Sequence, residues 1–240
     1  MVNPTAGTLE RLAAIGPYFA VECGERPGDG HSDGFRPLTE LYGDAGALRA
    51  YVRDVGRRIG TDQLRVAAST LHLGTASRLW SVALASAALT GHVPDLSPAQ
   101  LWWRPAPSGP VALWLPAPRA LTASPADALH DAVVVRNLRP FDEAVHRLCG
   151  LSPRILRGNA ASALIGTLRV LLARAPQAPY ATVPLVRDLL GREALVGAGA
   201  LDADGHGNIT FRRRSCCLYY RVPGAGTCGD CVLNQKERSA

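Results

Sequence analysis

The sequence predicts a mainly α protein with a small β component (α+β): a helical body, one β-hairpin and a C-terminal cysteine-rich unit. Three observations carry this. Several long stretches place apolar residues at helical spacing. Two short tryptophan-rich runs between residues 101 and 115 break that period. Four of the six cysteines crowd into residues 216–231. With 240 residues, 47% of them apolar, the chain can bury a sizeable core. The Gly-rich stretch 197–207 sets the expected boundary between a body, residues 1–205, and a cysteine unit, residues 206–240.

A short helix is expected from Thr8 to Tyr18, weakened at Gly16-Pro17. Cys23 follows as a bystander thiol, ahead of a Gly/Pro/Asp-rich surface loop from Gly24 to Pro37. Thr39 to Ile59 reads as one amphipathic helix, with Leu41, Ala45, Leu48, Val52, Val55 and Ile59 along its apolar stripe. Asp62 is placed to cap the next helix, Gln63 to Thr90, with a break near Gly74. His72 on that helix reads as a core or boundary residue. Leu101 to Arg104 and Val111 to Leu115 form the hairpin, and its tryptophans pack the sheet or line a groove.

Helices are expected at Ala126 to Val135 and Phe141 to Cys149, with Cys149 buried and inert. The most regular helix runs from Pro153 to Arg174, with Ser152 as N-cap and Pro153 at the first helical position. One more ends near Leu190, with Thr182 as its cap. Ile209 to Arg213 reads as a strand leading into the cysteines, and the tail from Asn234 as polar and frayed.

The formal charge of +6 is carried almost wholly by arginine; Lys236 is the only lysine. The arginines are scattered, which is not the footprint of a nucleic-acid binder. The residues after Met1 do not read as a secretory leader, and the longest apolar run, Trp80 to Thr90, is too short to span a bilayer. The expectation is a cytoplasmic protein without an integral membrane segment, whose clustered thiols favour metal over disulfide.

The cysteine spacing is C-C-x10-C-x2-C: Cys216, Cys217, Cys228 and Cys231. Adjacent cysteines disfavour a simple pair of disulfides. An all-cysteine zinc site usually uses two short knuckles, and only the second half here is one. A [2Fe-2S] cluster takes four thiolates over two irons, but this spacing matches neither common ferredoxin pattern, so spacing alone leaves zinc open. The surroundings favour the cluster. Arg212, Arg213, Arg214 and Arg221 flank a site that would carry net negative charge, and Pro223 to Gly226 and Gly229 are suited to bring backbone N–H groups to sulfur.

The run Arg213-Arg214-Ser215-Cys216-Cys217-Leu218-Tyr219-Tyr220-Arg221-Val222-Pro223-Gly224, continued by Cys228-Gly229-Asp230-Cys231-Val232-Leu233, resembles the C-terminal signature of the FhuF-type ferric-siderophore reductases, particularly their short actinobacterial members. Weaker similarity extends upstream through Ala76 to Trp80, Pro94 to Trp103 and Gly158 to Leu164. Two departures stand out: Arg157 occupies a position where the family suggests tryptophan, and Ala225 interrupts the glycine triplet after Pro223.

The resemblance implies an iron-sulfur oxidoreductase that passes one electron to a ferric siderophore and releases ferrous iron. Cys216, Cys217, Cys228 and Cys231 would hold the [2Fe-2S] cofactor. By extrapolation, Arg78, Arg157, Asn159, Arg214 and Arg221 would contact the chelate. With no nucleotide or flavin fingerprint in the chain, electrons would come from a separate donor protein or reductant, and a transient contact with the membrane importer is compatible. The alternative is a non-catalytic [2Fe-2S] or zinc protein: a redox sensor, or a siderophore-binding partner.

Overall fold

A computed structural model describes residues 4–24, 34–203 and 208–235. Helix α1 (Pro4–Leu12) starts and ends earlier than expected, and the Gly16-Pro17 segment runs on as a loop. The next four elements are β1 (Glu22–Cys23), β2 (Arg36–Pro37), α2 (Leu38–Gly43) and α3 (Ala45–Ile59). The expected single helix from Thr39 is therefore two. Asp44 divides them, because its Oδ1 accepts from the N–H groups of Gly46 (2.7 Å) and Ala47 (3.2 Å) and so caps α3. Of the expected loop before it, residues 25–33 lie outside the described residues. Phe35 is buried and Arg36–Pro37 pair as β2 rather than lying on the surface.

Helix α4 (Leu64–Thr90) runs unbroken through Gly74. Gln63, not Asp62, precedes it, and no side chain caps its start. Its apolar residues lie all round the axis, so it is a core helix rather than an amphipathic one. Strands β3 (Trp102–Arg104) and β4 (Ala112–Leu115) form the expected hairpin. β1 adds parallel to β4 and β2 antiparallel to β3, giving the order β1-β4-β3-β2. Trp103 is fully buried against Tyr51, with ring centroids 5.1 Å apart, and Trp102 packs on Trp114 at 5.5 Å. These contacts assign the hairpin tryptophans to packing.

The two helices expected after residue 125 are one continuous rod: α5 (Pro125–Leu129), a π-helical stretch His130–Leu138, and α6 (Arg139–Cys149). Pro140 lies in the first turn of α6 and has no N–H to give. The wider register before it is stabilised by Asn137, whose Nδ2 donates to Ala132 O at 2.6 Å. Helix α7 (Pro153–Arg174) starts as expected, with Ser152 Oγ accepting from Ile155 N. It makes with α4 the most extensive helix pairing of the molecule. Small residues allow the approach: Ala76 and Ala83 on α4, and Ala160, Ala161 and Ala163 on α7, are all buried. By length and composition α7 resembles a membrane span, but 67% of its apolar window is buried inside the fold.

Helix α8 (Thr182–Gly191) is preceded by Ala181, so Thr182 is its first residue and not its cap. Strands β5 (Gly199–Ala203) and β6 (Ile209–Arg213) pair antiparallel. The first of these replaces part of the expected loop. Gly199 is needed there, since a Cβ would stand 2.5 Å from Arg212 O. Residues 204–207, which include the expected domain boundary, lie outside the described residues, as do 236–240 of the tail; Val232–Gln235 form a 3-10 turn.

Candidate metal centre

Strand β6 brings the chain to the cysteines along α7. Its alternation puts Phe211 and Arg213 inward, leaving Thr210 and Arg212 outside. Two bonds from one α7 side chain hold the segment: Arg169 Nε donates to Ile209 O (3.0 Å), and Arg169 Nη1 pairs with Asp230 Oδ1 (2.8 Å). Asp230 lies between Cys228 and Cys231, so the arginine clasps the strand and the second cysteine pair together.

After Cys216-Cys217 the chain reverses at Leu218, whose φ of 68° makes it the only non-glycine residue with positive φ among the described residues. Such a conformation is costly for a branched side chain and persists where surrounding structure over-determines it. The reversal turns Leu218 N–H onto Cys216 Sγ at 3.3 Å. The second pair repeats the device: Leu233 N–H reaches Cys231 Sγ at 3.4 Å. The N–H donors near sulfur therefore include residues two places after a cysteine, where the sequence had pointed to the glycines. Ala225 is not among the positive-φ residues while Gly224 is, at 73°, so the interrupted glycine triplet costs the loop nothing.

Three side chains and a glycine support the cysteine segment from the body. Ser69 Oγ on α4 donates to Cys217 O (2.7 Å). Asn159 Nδ2 on α7 donates to Ser69 O and to Ser69 Oγ, both at 3.0 Å. Arg213 Nη2 donates to Asn159 Oδ1 (2.7 Å). Gly158 leaves the space: a Cβ there would press into Ser215 Oγ and stand 2.8 Å from Arg213 Nη2.

None of the six cysteines is disulfide-bonded. Cys217 and Cys231 are buried, while Cys216 and Cys228 are half-buried and meet solvent. The Sγ atoms of Cys217 and Cys228 are 3.5 Å apart and hydrogen-bonded. That contact, with the Tyr219 N–H and the Arg213 charge, draws the Cys217 thiol below its usual range; Cys228 is correspondingly pushed up by the same bond and by burial. Burial raises Cys216 as well, against the Leu218 N–H, and the neighbouring thiolates of Cys217 and Cys231 add to the rise. Away from this centre, Cys149 is buried with a raised pKa, and Cys23 is pushed up to about 11, mainly by burial; neither is activated.

The side chains expected to meet a chelate divide. Arg78 is 2% exposed, and its guanidinium is spent on the carbonyls of Val111, Pro17, Tyr18 and Ala20. Burial lowers its pKa to about 10, which leaves it charged at neutral pH. It anchors the 17–20 loop to α4 and offers no donor to a ligand. Asn159 is fully buried and acts through Ser69 and Arg213. Arg157, Arg214 and Arg221 are exposed. Arg157 lines a cleft of about 510 Å³ with Arg139, Asp142 and Glu193. Arg221 stacks on Tyr220, its guanidinium carbon 5.6 Å from the ring centre. His72 is buried on Phe141 and bonds Asp142 Oδ1 at 2.6 Å, as befits a core residue.

Arg213 was visible in the sequence only as one of a basic run; the inward phase of β6 is the signal that singles it out. It is 2% exposed, and its Nε and Nη1 have no partner, nor does the nearby Ser215 Oγ. A buried cation left with spare donors is expensive unless negative charge lies beside it. Four thiolates around an iron–sulfide core would supply that charge, so these residues fit such a group. Among the described residues no three Cys, His, Asp or Glu side chains are gathered as they would be about a single metal ion. Residues 213–233 match the family model of the FhuF 2Fe-2S C-terminal domain. No curated protein matches the chain. The cofactor of this C-terminal segment is a [2Fe-2S] cluster.

Proposed function

We propose that this protein is a ferric-siderophore reductase working in the cytoplasm, with Cys216, Cys217, Cys228 and Cys231 holding the cluster. The observation that supports it most is the match of residues 213–233 to the FhuF 2Fe-2S C-terminal domain, over a buried Arg213 that faces the thiols. When bound, a [2Fe-2S] group supplies one-electron oxidation and reduction, the change that separates ferric from ferrous iron. Ferric iron is held tightly by hard, anionic oxygen donors. With one charge fewer, ferrous iron is held far more loosely by the same donors.

The chain's own residues perform three tasks on this reading. Arg213 and the N–H groups of Leu218 and Leu233 favour the more negative state of the thiolate site. Ser69, Asn159 and Arg169 keep the two cysteine pairs in register. Tyr219, Tyr220 and Arg221 lie exposed beside half-buried Cys216 and form the surface that a chelate would approach; Arg214 and, more remotely, Arg157 add positive charge. The electron comes from a separate protein or reductant, and contact with an importer is brief.

The test is anaerobic. Protein reduced and freed of reductant is mixed with a ferric siderophore and a ferrous trap, and the visible spectrum is followed. The expected result is one ferrous ion trapped per cluster re-oxidised, and none with a Cys228→Ser variant that has lost its iron. A reduced protein that no ferric chelate re-oxidises would overturn the reductase reading and leave a sensor or carrier.

A further inference from the structure

Where β5, β6 and the start of α7 meet the cysteine segment lies a small cavity of about 340 Å³ lined by Arg154, Ala200, Arg212, Arg213, Arg214 and Val232. Four of its six walls are arginine. Arg154 reaches in from α7, where its Nη2 donates to Arg214 O at 2.7 Å, while β6 and its continuation supply the other three. Among the described residues none of the four is ion-paired with a carboxylate, and Asp230, in the cysteine segment, is taken by Arg169. Guanidinium groups gathered without a counter-charge repel one another, so the arrangement is one that an anion stabilises. Arg213 lines the cavity from β6 but turns its side chain inward to Asn159 Oδ1, so the exposed Arg154, Arg212 and Arg214 supply the charge that an entering anion meets.

We infer that this cavity is a subsite for an anionic arm of the substrate, a carboxylate carried on the ferric chelate, which forked guanidinium donors bind well. The inference rests on the reductase reading and narrows its substrate class: chelates bearing a free carboxylate are preferred over neutral ones. The cavity is too small for a whole siderophore, so it holds an appendage and leaves the iron outside, toward the thiols.

The experiment uses two ferric tris-hydroxamates identical except that a pendant carboxylate is free in one and amidated in the other, so that iron coordination is the same. The holoprotein is titrated with the redox-inert gallium complexes of both, and the reduced holoprotein is mixed with the ferric forms. About tenfold tighter binding and about tenfold faster re-oxidation are expected for the free carboxylate at low salt, the gap closing as salt rises. In Arg212→Gln the ratio between the two chelates falls toward one, and in Arg212→Lys, which keeps the charge, much of it remains; iron and sulfide content verify that the cluster is retained. Equal affinity for the two gallium complexes overturns the subsite, even if inorganic phosphate binds there. A preference among gallium complexes without re-oxidation by either ferric form upholds the subsite and overturns the reductase reading instead.

Discussion

At the scale of single residues, the centre depends on a cation and on the gap that admits it. Replacing Arg213 by methionine removes the buried charge beside the thiols and leaves Asn159 Oδ1 without its donor. The reduction potential should fall, because the more negative reduced state loses its counter-charge. An anaerobic redox titration checks this, and a midpoint equal to that of the parent protein would sink the assignment. Gly158→Ala probes the same spot without changing charge. Its methyl group must displace Ser215 and Arg213, an overpacking that costs about 1–3 kcal/mol. The expected signs are a lower unfolding midpoint and a reduced iron content per chain, both measured on the same preparation. These residues also show where sequence reading stops. The four cysteines were legible because their spacing is rare. Arg78 was not, since its partners are carbonyls more than thirty residues away in sequence, and an arginine spent on backbone looks the same in a sequence as one offered to a ligand. Ser69 gave no signal at all: its role depends on Cys217 O, which only the fold brings near.

At the scale of elements, one α7 side chain, Arg169, bonds both β6 and the second cysteine pair and so ties the two to the body together. Arg169→Ala removes an ion pair whose acid is mostly buried, together with a bond to the strand backbone. Supports one layer out from metal ligands typically carry about 10- to 100-fold in retention or activity. The rate of cluster loss to a chelator should rise in that range while the far-UV helical signal stays the same. An unchanged rate would show that the clasp is incidental. Asp230→Asn tests the other half, and the double variant should be no worse than either single one if the two act as a pair. Long elements were the legible ones: α3, α4 and α7 combine length with apolar spacing, and Ser152-Pro153 marks the start of α7 outright. The misses have local causes. Two-residue strands such as β1 and β2 are too short for alternation to show. The π-helical stretch depends on Asn137 bonding Ala132 and Leu96, a long-range choice that mimics a helix end when read locally.

At the scale of the whole molecule, the question is whether the body needs the cluster. The continuous apolar core runs through α1, α3, α4, α6, α7 and the four-stranded sheet; of the described residues beyond 208 it includes Phe211, with Ile209 and Leu218 packed against its edge. None of the four clustered cysteines belongs to it. Residues 214–235, by contrast, contain two short 3-10 turns and little regular structure, and their hydrogen bonds to the body pass through Arg154, Ser69, Arg169 and Ala198 O. Such a segment opens at lower free energy than the core does. If four metal–thiolate bonds close the loop between Cys216 and Cys231, their removal should loosen this segment and leave the rest folded, unlike small zinc domains that unfold without metal. Stripping the cluster should therefore keep the far-UV spectrum nearly constant and expose the chain to protease first after Arg212, Arg214 or Arg221, with Arg154 and Arg169 in α7 cut far later. Mass analysis of a brief trypsin digest of holo and stripped protein reads this directly. A stripped protein cleaved as fast within α4 or α7 as beyond Arg212 would mean that the body and the cysteine segment fold as one cooperative unit.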